Sequence, residues 1–175
     1  MKWVIRIVGG LVGVLLLGVV VLFAMGHRAN AGRMNNSVEV NAPAERVWPW
    51  ITEPEKLEQW VSWLVEVRGE RHNCVWVMRD ENNGGQLMEI HSTVIEDVPP
   101  RLFHAKLSAP MGFDGEATYE ITDVGGGRVR LDVKSAYTFS HWFAKLMEPL
   151  IMPSAEKKML GDLATLKSKV EGATQ

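Results

Sequence analysis

The 175-residue chain has a single cysteine, Cys74, which excludes an internal disulfide and a cysteine-based zinc cluster. Alone in an apolar run, it reads as a small buried residue. Histidines at metal-ligand spacing are lacking too: His72, His91, His104 and His141 stand 19, 13 and 37 residues apart, with no HxH or HxxxH. No metal site and no cofactor are therefore expected. There is no G-x-S-x-G elbow, and Cys74 has no recognisable base, so nucleophilic catalysis has no support. Gly125-Gly126-Gly127 precedes a strand pattern and not a helix, which makes it a hairpin turn and not a phosphate cradle. Positive charge is scarce from Ser37 onward, where 15 Lys and Arg face 21 Asp and Glu, a net charge of −6. A nucleic-acid partner, which needs a basic stripe, is not expected.

One stretch lacks charge of either sign. Residues 7 to 25, "IVGGLVGVLLLGVVVLFAM", form an apolar run of nineteen residues; at about 1.5 Å each they extend roughly 28 Å as a helix, enough for a bilayer core of about 30 Å. Residues 1–26 thus read as a single-pass transmembrane anchor, with the membrane as partner through residues 7–25. A cleaved signal peptide with Ala29-Asn30-Ala31 as its cut site is the competing reading, but the apolar region is longer than the usual 7 to 15 residues. Lys2, Arg6 and the terminal amine precede the run, against Arg28 and Arg33 after it. The positive-inside rule then leans towards a cytoplasmic N-terminus and a folded part on the non-cytoplasmic side. Gly9 and Gly13 have the GxxxG spacing of close helix pairs, although four glycines in the run make such a match common by composition.

Residues 27–36 are polar and small, and read as a linker. "SVEVNA" alternates as a strand does, "PAERVWPWI" places Val47, Trp50 and Ile51 at helical spacing, and "EPEKLEQWV" restarts a second short helix with Leu57, Trp60 and Val61 on one side. Five or six strands follow, with Asn82-Asn83-Gly84-Gly85 and Gly125-Gly126-Gly127 at hairpin turns. In "RVRLDVKSAYTF" the apolar residues Val129, Leu131, Val133, Tyr137 and Phe139 alternate with polar ones, the pattern of an antiparallel sheet wet on one face. Phe143, Leu146, Leu150, Met159, Leu163, Leu166 and Val170 then form a helical stripe. Pro149 and Pro153 are expected to break its first part, leaving Ser154 to Glu171 as the continuous helix.

The opening "VEVNAPAERVWPWITEPEKLEQWVSWLVEV", with its strand into Ala-Pro, Val-Trp helix, Glu53-Pro54 break and Trp63 before the second strand, resembles the start of the SRPBCC, or START-like, proteins, the polyketide cyclase/dehydrase and lipid transport group. "DLATLKSKVEG" is similar to that group's closing helix, so the resemblance covers residues 37–171. It implies an α+β helix-grip fold, in which a curved antiparallel sheet wraps a long C-terminal helix. It also implies a small hydrophobic or lipid-like ligand between the two. On the predicted inward positions the ligand wall comprises Trp63, Val65, Val67, Phe103, Leu107, Tyr119, Leu131, Tyr137, Met159 and Leu163. Trp50 and Trp60 read as core, Trp48, adjacent to Pro49, as facing outward or towards the linker, and Trp76 and Trp142 fit either face.

An enzymatic reading, cyclase- or dehydratase-like, rests on Glu89 and His91, which share a strand face, and on His104 in the next strand. Met88, Ile90 and Val94 make the opposite face the apolar one, which places that trio in water. A third reading is a co-chaperone-like interaction module, for which an exposed apolar patch would be the sign.

Overall fold

The computed structural model describes residues 2–28, 31–80, 84–109 and 113–172. The Ala29-Asn30 pair of the cleavage-site reading and the Asn82-Asn83 turn lie outside them. In chain order the elements are α1 (Lys2–Gly26), β1 (Arg33–Val40), α2 (Ala44–Thr52), α3 (Pro54–Leu57), β2 (Leu64–Glu70), β3 (Asn73–Asp80), β4 (Gln86–Val98), β5 (Leu102–Ala109), β6 (Phe113–Gly125), β7 (Arg128–Phe139) and α4 (Trp142–Gly172).

β2 to β7 run as an antiparallel meander, and β1 returns to pair with β7, so the strand order is β1-β7-β6-β5-β4-β3-β2. This curved seven-strand sheet with a long C-terminal helix is the helix-grip arrangement. Alternation decides which face is buried. Val129, Leu131 and Val133 on β7, Ala117, Tyr119 and Ile121 on β6, and Phe103, Ala105 and Leu107 on β5 all point to the side that α2 and α4 cover. α4 adds Met159, Leu163, Leu166 and Val170, the last two with no exposed surface. Each such buried aliphatic contributes about 2 kcal/mol relative to exposure, which is what holds α4 to the sheet.

Two contacts fix the direction of α4 against β1. Asn41, just after β1, donates its backbone N–H to Glu171 at 2.8 Å, and Gly32, just before β1, donates to Glu148 at 2.9 Å. α4 therefore runs parallel to β1, with Glu148 beside the start of the strand and Glu171 beside its end. Gly32 has φ 72°, and a Cβ there would overlap the Tyr137 carbonyl, so only glycine serves at that turn.

Several expectations need correction. Residues 33–36 are not linker: β1 begins at Arg33 and pairs Arg33 with Ala136 and Asn36 with Val133. Pro149 and Pro153 do not interrupt α4, which continues through both. Within its first half the predicted stripe splits: Phe143 and Leu150 are exposed, and Glu148 and Met152 take the inward positions. The second short helix shrinks to four residues, Pro54–Leu57, although Leu57, Trp60 and Val61 are buried as expected. Trp48 faces inward, edge-on to Phe103 with ring centres 6.4 Å apart, and the Arg71 guanidinium lies 5.7 Å from its centre. Trp50 and Trp60 are core residues, with Trp60 Nε1–H donating to the Trp50 carbonyl at 2.7 Å. Trp76 is buried and Trp142 exposed.

Candidate functional site

The inner face of the sheet, beneath α4, collects most of the predicted ligand wall. Phe103, Leu107, Tyr119, Leu131, Met159 and Leu163 are buried in one contiguous cluster, with Trp63, Val67 and Tyr137 half-buried against it. Val65 is the exception. A bulge between Leu64 and Glu66 shifts the β2 register, so Leu64 takes the inward place and Val65 is 43% exposed.

Polar atoms within this apolar wall are few. Trp63 Nε1 is inaccessible to water and has no acceptor among the described residues, which leaves an N–H donor aimed into the interior. Tyr119 and Tyr137 contribute hydroxyls. Burial raises the Tyr119 hydroxyl far above the ordinary tyrosine range, helped by Tyr137 and by Asp162. Burial also raises Tyr137, while a hydrogen bond to Ser135 works against it. Both therefore stay protonated donors at neutral pH. Asp162 is 4% exposed on α4 between Met159 and Leu166. On the β3–β4 side, burial raises the Cys74 thiol against hydrogen bonds to Trp76 and Ser92, keeping it an unreactive thiol.

The acid/base trio lies elsewhere. Glu89 and His91 are on the water-facing side of β4, with Glu89 paired to Arg68 at 3.1 Å. His104 is on the same outer face of β5, 3.3 Å from Glu116. None of the three points at the cluster, because the inward strand positions belong to Ile90, Ser92, Phe103 and Ala105. Among the described residues no group of three His, Cys, Asp or Glu side chains is placed to hold a metal.

At the end of the sheet where α4 begins, a cleft of about 290 Å³ opens between α1, β7 and α4. Gly26, His27, Arg28, Tyr137, Lys145 and Glu148 line it. Tyr137 connects this cleft to the inner wall, and its ring stacks on Phe113 at 5.0 Å. The floor is set by Glu148, 2% exposed, which accepts from Arg28 Nη1 at 2.7 Å, Arg28 Nη2 at 3.1 Å and the Gly32 N–H.

Glu148 and Asp162 were missed as site residues, yet their positions carried a signal. Glu148 lies four residues before Met152, and Asp162 four before Leu166, so each carboxylate falls on the buried stripe of α4. A carboxylate there must find partners.

Residues 31–171 match the family described as polyketide cyclase / dehydrase and lipid transport. No curated protein matches the chain by sequence. Similar solved structures include a conserved protein from Geobacillus kaustophilus, 12% identical with a TM-score of 0.69 over 81% of this chain and 96% of that one. A START superfamily protein from Mycobacterium smegmatis is 19% identical with a TM-score of 0.62, over 81% and 99%. The Zhui aromatase/cyclase from Streptomyces sp. R1128 is 14% identical with a TM-score of 0.65, over 82% and 95%. At these identities the likeness is one of fold.

Proposed function

The chain belongs to the polyketide cyclase / dehydrase and lipid transport family, and from that premise we propose that it is a membrane-anchored domain that holds a small hydrophobic or lipid-like ligand between the inner face of the sheet and α4. The observation that carries the reading is the Trp63 N–H, buried in a mostly apolar wall and lacking an acceptor among the described residues. A buried donor of this kind costs about 1 to 3 kcal/mol until something accepts from it. An amphipathic ligand, apolar along its body with an oxygen at one end, would satisfy it. Sites for such molecules are mostly apolar with a few placed polar groups, which is also the composition of this wall.

The membrane part of the proposal rests on α1. Its span Arg6–Gly26, 21 residues with mean hydropathy 2.9, is long and apolar enough to cross a bilayer, and of that span only Gly26 is buried within the protein. The charge balance around it favours a non-cytoplasmic domain. The acid/base alternative loses its residues, since Glu89, His91 and His104 face water.

The test is to purify the full chain in a mild detergent, extract it with organic solvent, and measure bound fatty acid or phospholipid by mass spectrometry. Binding of a fluorescent fatty acid is measured in parallel. Stoichiometric recovery of one lipid class, or saturable binding with competition, is the expected result. Absence of both overturns the proposal.

A further inference from the structure

α1 does not hang free of the domain. Its last residue, Gly26, is buried against α4, where a Cβ would overlap the Lys145 carbonyl oxygen. That carbonyl is available because Pro149, four residues on, has no N–H to offer it. Two residues past α1, Arg28 closes its fork on the buried Glu148. The start of α4 is thus held rigidly at the C-terminal end of α1.

That attachment supplies a depth gauge. Twenty-one residues from Arg6 to Gly26 extend about 31 Å, the thickness of the hydrocarbon core, so the Gly26 end coincides with the headgroup boundary. Lys145 sits at the same level, and Trp142 lies one turn before it.

The side chains that α4 turns away from the domain there are apolar. Trp142 is 66% exposed, Phe143 58%, Leu150 55% and Ile151 39%. Phe143 and Leu150, seven residues apart, share one side of the helix. The charge pattern agrees with this. The soluble part carries net −6 from Ser37 onward, yet residues 141–153 contain a single acid, Glu148, already neutralised by Arg28. An aqueous face of so acidic a domain would not be expected to concentrate its large apolar side chains here.

We propose that the first three turns of α4, Trp142 to Met152, lie in the headgroup region of the bilayer that α1 crosses, with Trp142, Phe143, Leu150 and Ile151 immersed. The occupant of this apolar face is the lipid bilayer itself, argued from its continuity with α1 and from the lack of free acidic charge. Trp and Tyr prefer this depth because one end of the ring is apolar and the other polar, and Lys145 extends its amine to the phosphates. The cleft bordered by Gly26, Tyr137 and Glu148 then opens at headgroup level, giving a lipid-like ligand a path that avoids water. The inference rests on the anchoring role of α1 in the proposed function, and its test separates the two.

The full chain and its Trp142→Phe variant are reconstituted in phosphatidylcholine vesicles, with and without brominated acyl chains. Flotation reports attachment, and the difference in tryptophan emission between the two proteins reports Trp142. The expected result is flotation with a blue-shifted Trp142 emission, quenched about twofold or more by bromolipid and unaffected by aqueous iodide. If the chain floats but iodide quenches Trp142 and bromolipid does not, the anchor stands and this inference falls. If the chain floats and neither reagent reaches Trp142, while cross-linking traps dimers, a second copy covers the face and the inference is likewise overturned. A chain that does not float removes both.

Discussion

Arg28 and Glu148, 120 residues apart in sequence, form a two-pronged ion pair with oxygen contacts of 2.7 and 3.1 Å. The carboxylate side chain is 1% exposed and the guanidinium 41%. The geometry is therefore asymmetric: Glu148 has given up its water entirely and Arg28 only in part. Such a pair matters less for the attraction it supplies than for the charge it leaves behind when broken. Arg28→Ala strands a buried carboxylate with only the Gly32 N–H. Destabilisation by about 2 kcal/mol is expected, below the 3 to 5 of fully buried pairs because water can enter where Arg28 was. Glu148→Gln keeps an acceptor for Gly32 and should cost about 1 kcal/mol. Denaturant unfolding of the full chain in micelles measures both, and equal losses would contradict the asymmetry.

Gly26 makes a second, steric prediction. A valine there must displace the Lys145 backbone, so α1 can no longer seat on α4. The Arg28 fork then loses its alignment and the connection to β1 is freed. Trypsin should cut after Arg28 several times faster in Gly26→Val than in the parent, while the sheet stays intact by circular dichroism. Unchanged cleavage would mean that the two helices are not held together there.

Replacing Trp63 with 3-benzothienylalanine, which keeps the bicyclic outline and puts sulfur where the N–H was, separates shape from hydrogen bonding. The ligand-free protein should then gain slightly in stability, because an unpaired polar group has left its interior. If a ligand oxygen accepts from that N–H, affinity for the extracted lipid should fall about fivefold, near 1 kcal/mol. The opposite signs make the pair of measurements decisive, since a general packing defect would lower both.

Much of this arrangement was legible in the sequence because period and burial coincide along the strands. In β7, Val129, Leu131 and Val133 alternate strictly and all are buried. The failures have local physical causes. The bulge after Leu64 reverses the faces in β2, and nothing in "SWLVEV" distinguishes Val65 from Val67. Pro149 and Pro153 usually end a helix, yet here α4 survives because its neighbours cover the carbonyl that Pro149 leaves free. Trp48 was placed outward from its proximity to Pro49, whereas burial against Phe103 and Arg71 decides its direction. The attachment of α1 was not legible at all, since Arg28 and Glu148 share no sequence neighbourhood.

The outer face of the sheet provides a control. Glu89→Gln, His91→Ala and His104→Ala alter side chains on the water-facing side of the sheet, where Glu89 and His104 form ion pairs with Arg68 and Glu116. Each should change stability by no more than about 0.5 kcal/mol and leave ligand binding as it was. Loss of binding in any of them would bring the acid/base reading back.

Tyr119 and Tyr137 are the only tyrosines in the chain, so an alkaline absorbance titration reads them without interference from others. Burial raises both, Tyr119 most strongly. In the unfolded chain each would release its proton near the ordinary value of about 10. Between that pH and the higher folded value, the unfolded state has lost protons that the native state still binds, so stability falls as pH rises. It is fully present below about pH 10, and neutral or mildly acidic conditions should not touch it. Phenolate absorbance should therefore stay low through pH 10 and appear together with unfolding, seen as coincident loss of the near-ultraviolet circular dichroism. Tyr119→Phe should move that alkaline transition to higher pH, because one of the buried groups that drive it is gone. Tyr137→Phe should move it less, since the hydrogen bond to Ser135 already offsets part of the shift. A native-state titration at the ordinary value for both residues would show that water reaches the wall beneath α4 and the buried cluster around Leu131 and Leu163.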